Sequence, residues 1–189
     1  MGKYKSNKPK NELVEWIKAL VTAFVLAIII RFVLFTPIVV DGESMMPTLV
    51  NGERIVVNKV DYKLRDIKRF DIVVFHAPEK KDYIKRVIGL PGDYVEYKND
   101  QLYINGKKYD ELYLTAFKNE VEDGGTLTED FTLQDYTNKK IIPKDYYFVM
   151  GDNRRNSKDS RHIGLIKEGD IVGKASLVFW PLESFGTVQ

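Results

Sequence analysis

The chain contains no cysteine, and that absence removes disulfide frameworks, cysteine nucleophiles and thiolate metal sites together. Histidine is nearly as scarce. His76 and His162 are the whole supply, so a multi-histidine metal centre is excluded and each ring reads first as an ordinary surface or strand-end residue. A mixed site with carboxylates stays formally open, but no metal and no cofactor is expected. An excess of basic charge is also missing from most of the chain. Lys and Arg number 29 against 27 Asp and Glu, a formal net charge of +2. Residues 1–18 alone hold Lys3, Lys5, Lys8, Lys10 and Lys18 against Glu12 and Glu15, which leaves the remainder slightly acidic. With no Arg-rich run and no aromatic-basic module there, a nucleic-acid partner is not expected.

What the chain does have is one long apolar run. Residues 17–35, IKALVTAFVLAIIIRFVLF, are apolar except for Lys18, Thr22 and Arg31, and as a helix they would nearly match a bilayer core of about 30 Å. The run is too long for a cleaved signal peptide, and the following TPIVVD offers no small-x-small cleavage site. The expectation is a transmembrane anchor at 17–35, preceded by a basic cytoplasmic tail and interfacial lead-in at 1–16 that includes Trp16. The lysines place the tail in the cytoplasm and everything after about residue 36 outside. The predicted location is therefore the cell membrane, single-pass, with the lipid bilayer as one partner.

After Phe35 the pattern changes to short stretches rich in Val, Ile, Tyr and Phe, punctuated by Gly, Pro, Asn and Asp. Predicted strands are 38–40, 54–58, 71–75, 83–88, 94–97, 101–104, 146–150 and 175–180. Asn99-Asp100 and Asn105-Gly106 read as hairpin turns, since Asn and Gly accept positive φ. The predicted fold class is mostly β: an antiparallel sheet or barrel-like domain over 36–189, with the more polar 98–140 as a subdomain excursion, preceded by one N-terminal transmembrane helix.

Without thiols and with two histidines, strong catalysis needs paired carboxylates or a hydroxyl activated by something else, and lysine is the obvious substitute. An amine at its ordinary pKa of about 10.4 is neutral in fewer than about one molecule in a thousand at pH 7. Burial must make up the difference, so the base should sit inside an apolar strand. Lys85, in Tyr83-Ile84-Lys85-Arg86-Val87-Ile88, meets that requirement best. Its rival reading is an edge strand whose Lys and Arg discourage aggregation. Ser44, in Asp41-Gly42-Glu43-Ser44-Met45-Met46-Pro47-Thr48, lies in a turn that exposes its hydroxyl beside apolar neighbours; alone, it reads equally as an ordinary serine turn. The polar stretch from Gly151 to Arg161 is either a solvated loop or a set of groups that orient a site.

Taken together, Ser44-Met45-Met46-Pro47-Thr48, the segment from Tyr83 to Asp93 (YIKRVIGLPGD), and Gly151-Asp152-Asn153-Arg154 followed by Ser157-Lys158-Asp159-Ser160-Arg161 resemble bacterial type I signal peptidases. The short, single-anchor members of Gram-positive bacteria are the most similar. The resemblance implies that Ser44 is the nucleophile and Lys85 the general base, that Ser157 orients the amine, and that Arg86, Asp152, Asp159 and Arg161 hold the site in place. It implies that the Ser44 backbone N–H contributes to the oxyanion site. Gly42 stands where Gram-negative relatives carry a serine whose hydroxyl helps bind the oxyanion, so that second donor is missing here.

The function so implied is a membrane-anchored serine endopeptidase that removes signal peptides from exported preproteins, with small residues preferred one and three positions before the cut. Two other classes are compatible with parts of the sequence. A serine-lysine self-cleaving repressor would need a DNA-binding head where the apolar run stands. A non-catalytic membrane-anchored β module for binding or assembly would require neither Ser44 nor Lys85.

Overall fold

The computed structural model describes residues 12–59, 66–121 and 124–188, with backbone only for 29–34. Most of the predicted basic tail, residues 1–11, lies outside the described residues. The chain divides into two units, 1–34 and 35–189. The first is a helix, α1 (Glu12–Leu34). Every described side chain on it, from Glu12 to Ile28, is exposed, including Leu13, Trp16, Leu20 and Phe24. The predicted anchor runs on through 29–34, whose side chains lie outside the described residues. Among the described residues no helix is long and apolar enough to cross a membrane.

The second unit is mostly antiparallel β. Its strands are β1 (Phe35–Val39), β2 (Arg54–Asn58), β3 (Ile72–His76), β4 (Asp82–Gly89), β5 (Val95–Lys98), β6 (Gln101–Ile104), β7 (Lys107–Tyr109), β8 (Phe131–Thr132), β9 (Tyr146–Met150), β10 (Ile166–Lys167), β11 (Ile171–Trp180) and β12 (Gly186–Thr187). Helices here are short: α2 (Thr115–Asn119), α3 (Leu133–Thr137) and α4 (Ser160–Ile163). The large sheet runs β1-β2-β11-β3-β4-β9-β10, with β12 on β11; a second sheet runs β7-β6-β5-β8.

Period-two packing explains the layering. Ile72 and Val74 of β3 face one apolar cluster with Met45, Leu49, Ile55 and Val57, while Val73 and Phe75 face another with Val87, Tyr147 and Val149. A strand buried on both faces reads as an unbroken apolar run, and Ile72-Val73-Val74-Phe75 is one. A third cluster joins the small sheet to the large one through Ile88, Val95, Tyr97, Leu102, Phe131 and Phe148. The two predicted hairpin turns form with all four residues at positive φ, from 51° at Asn99 to 77° at Gly106.

Two expectations need correction. The large sheet is open among the described residues, ending at β1 and β10, so the domain is not a closed barrel. Its register also slips at three points along β11, and such bulges bend a sheet without closing it. Nor is the strand carrying Lys85 an edge strand: β4 lies between β3 and β9. That cover is incomplete, however. The β9 register spans only Arg86 to Gly89, so the stretch from Asp82 to Lys85 pairs with β3 on one side alone.

Candidate active site

The turn between β1 and β2 places Ser44. It is closed by Val40 N–H to Glu53 O at 2.8 Å and Leu49 N–H to Met45 O at 2.9 Å, and Met45 and Leu49 are driven into the core beneath it. Gly42 turns the chain at φ +98°, a conformation that favours glycine, and its N–H is held by Asn51 Oδ1 at 2.9 Å. The Ser44 carbonyl accepts from Asn153 N–H at 3.0 Å, which ties this turn to the polar loop after β9. No acceptor takes the Ser44 N–H among the described residues.

Lys85 reaches this turn from β4. Its Nζ lies 2.7 Å from Ser44 Oγ and 2.9 Å from the Ile84 carbonyl, and the residue is 4% exposed. Burial is the main influence on the amine and pushes its pKa down to about 8, against the opposing pull of Asp159 and Asp152. A neutral amine within hydrogen-bond reach of a serine hydroxyl is the arrangement that abstracts its proton. No cluster of His, Asp or Glu among the described residues is suited to a metal ion.

On the neighbouring register, Arg86 is fully buried. It forks onto Asp152, Nε to Oδ1 at 2.9 Å and Nη2 to Oδ2 at 2.7 Å, a geometry only arginine supplies. Thr48 Oγ1 donates to Asp152 Oδ2 at 2.6 Å, so this pair grips the Ser44 turn as well. Asp159 caps α4 and accepts from the Arg161 guanidinium at 2.8 and 2.9 Å and from Gly151 N–H at 3.0 Å. Burial works to raise the Asp159 pKa, but Arg161 and the Gly151 amide outweigh it and the carboxyl is held below its ordinary value.

The structure thus brings all seven predicted side chains into one region, but Ser157 differs from its expected part. Its Oγ is buried, makes no well-formed hydrogen bond among the described residues, and does not bond the amine; the Ile84 carbonyl takes the second position on Nζ instead. Residues 13–180 match the family described as signal peptidase, peptidase S26. The chain belongs to that family.

The similar proteins agree. Signal peptidase I of Bacillus caldolyticus is 53% identical over 156 residues, 82% of this chain and 85% of its own length. Signal peptidase IB of Staphylococcus aureus (strain Mu50) is 49% identical over 180 residues, covering 93% and 94%. A crystal structure of a signal peptidase I from Enterococcus faecalis V583 superposes with a TM-score of 0.56 at 42% identity, over 58% of this chain and 97% of that one. The peptidase S26 chain is therefore an enzyme of mostly antiparallel β architecture.

Several residues of the peptidase site escape a reading of the sequence. Thr48 lies inside a family motif that assigns it no part. Arg154 is likewise within a motif and without an assigned part, yet it is buried and bonded to Tyr97, Glu111, Tyr113 and Thr128. Those four sit in or beside the polar stretch that carries no family motif, and no local pattern could reveal partners set by tertiary contact.

Proposed function

We propose that this chain is a membrane-anchored serine endopeptidase that removes signal peptides from exported preproteins. The observation that carries the reading is the 2.7 Å approach of a buried lysine amine to Ser44 Oγ. Lys85 takes the Ser44 proton as Oγ attacks the scissile carbonyl, the tetrahedral oxyanion meets the unoccupied Ser44 N–H, and collapse expels the mature amino terminus with a proton returned by the lysine. Water, deprotonated by the same amine, then releases the signal peptide from the acyl-enzyme.

A groove of about 340 Å³ runs past Ser44 between Ile38–Met45 and Lys81–Lys85. Its wall is the stretch of β4 that β9 leaves uncovered, which suits an extended substrate bound by strand addition. Ile38, Val40, Met45 and Ile84 supply apolar lining for small side chains before the cut. The anchoring part of the reading is supported by α1, a helix apolar nearly all round whose large described side chains are exposed. The basic tail then stays in the cytoplasm and the catalytic unit works outside, where enzyme and preprotein share one bilayer and weak pockets suffice.

The test is a preprotein-processing assay with Ser44→Ala and, separately, Lys85→Ala. Either variant cutting at the wild-type rate sinks the dyad.

A further inference from the structure

Building on the Ser44–Lys85 reading, we infer that Glu111 and Tyr113, in the connection that follows β7, are positioning residues that hold the dyad from the small sheet's side. Two threads, joined where Tyr113 Oη meets Glu111 and Arg154, run from them to the Ser44 turn. The first passes through Arg154. Glu111 Oε1 accepts from Arg154 Nη2 at 2.5 Å, from Tyr97 Oη at 2.7 Å and from Tyr113 Oη at 2.6 Å. On its other edge the same guanidinium gives Nε–H to the Gly151 carbonyl at 3.0 Å. Gly151 in turn lies so close to the Ser44 carbonyl and to Ser157 that a Cβ there would collide with both.

The second thread passes through Arg86. The Tyr113 ring lies 3.9 Å from the Arg86 guanidinium carbon, and Arg86 forks onto the Asp152 carboxylate that also binds Thr48. Phe70 closes this thread: its carbonyl accepts from Arg86 Nη1 at 2.9 Å and its ring centroid lies 5.8 Å from that of Tyr113. Phe70 holds φ at +71°, a conformation a bulky residue adopts only where its surroundings impose it. A backbone bent at that cost to aim one carbonyl at Arg86 marks the guanidinium's position as tightly specified.

The arrangement is a preorganised support. Arg154 and Glu111 are both buried, so neither can shift without leaving a charge unpaired away from water. Locking a catalytic pair within about half an ångström requires this kind of outer packing. The 98–140 region thereby acquires a part in the chemistry, since it presents Glu111 and Tyr113 to the two arginines.

The experiment compares Tyr113→Phe, Tyr113→Leu and Glu111→Gln in the full-length protein, with rates normalised to serine titrated by an acylating inhibitor. Tyr113→Leu, which removes ring and hydroxyl, is expected to lower kcat about tenfold or more with KM changed less than about twofold. It should also move the acid limb of the rate profile to higher pH, because a looser site admits water to the Lys85 amine, whose charged state otherwise answers to burial and to Asp152 and Asp159. Tyr113→Phe keeps the ring over Arg86 and should fall between, with a loss of about threefold. The Glu111→Gln loss should be smaller in the Tyr113→Leu background than alone, because the two act on one network. Wild-type kcat and an unmoved acid limb in Tyr113→Leu, or in Tyr113→Phe if that is the only variant to fold, would overturn the inference. Full processing by Ser44→Ala would overturn the dyad itself, a separate result.

Discussion

In the proposed mechanism Lys85 is the base, and its environment then fixes how activity answers to pH. With its pKa near 8, about one amine in ten is neutral at pH 7, against under about one in a thousand for an exposed lysine. Because the neutral form is the base, kcat/KM should rise about tenfold per pH unit below 8 and level off above it; a pH-rate profile measured on a peptide substrate checks this. Asp159 favours the charged amine, so Asp159→Asn should move that limb to lower pH. A shift upward would contradict the assignment. Loss of either dyad member should cost on the order of 10³-fold or more in processing rate, since nucleophile and base act as a unit.

At the scale of elements, the loop between β9 and α4 is the joint where three groups of side chains meet. Gly151 has no room for a Cβ against Ser157 and the Ser44 carbonyl, so Gly151→Ala should displace the Ser44 turn. A misplacement of about 1 Å can cost about 10² in rate, and the expected result is a loss of that order with circular dichroism unchanged. The buried Arg86–Asp152 pair behaves differently. Removing one partner by Asp152→Ala strands a guanidinium away from water at a cost of about 3–5 kcal/mol. Calorimetry should therefore show Tm lowered by roughly 6–20 °C, a drop in stability that Gly151→Ala should not match.

For the whole molecule, the proposal of one span with the catalytic unit outside makes a topological prediction. The full chain should sediment with membranes and resist extraction by carbonate at high pH, and protease added to intact cells stripped of wall should digest the β unit while sparing the amino-terminal tail. Recovery of the chain in the soluble fraction would end the anchoring proposal.

Much of this architecture could be read from local pattern. Six of the β elements of the second unit, β2, β3, β4, β5, β6 and β9, coincide with predicted strands to within about a residue, β1 and β11 begin three and four residues before theirs, and Asn99-Asp100 and Asn105-Gly106 turn as their positive-φ tolerance dictates. The strands that escaped, β7, β8, β10 and β12, are two or three residues long, too short to show alternation. The expectation of a barrel failed because closure depends on register and bulges between distant strands, which leave no periodic trace. The edge-strand reading of Lys85 and Arg86 failed for a related reason: whether a strand has two neighbours is a property of the sheet.

By itself the sequence determined which chemistries were closed, by withholding cysteine and nearly all histidine, where the apolar run lay, and which lysine was placed among apolar neighbours. These follow from residue type and from spacing along one strand or helix. Tertiary structure alone decided that the amine stands 2.7 Å from the Ser44 hydroxyl, that Ile84 rather than Ser157 holds it, and that Arg154 reaches across to Glu111 and Tyr113. Such facts depend on how strands far apart in the chain come to lie side by side, and packing, not local preference, sets distances at that scale.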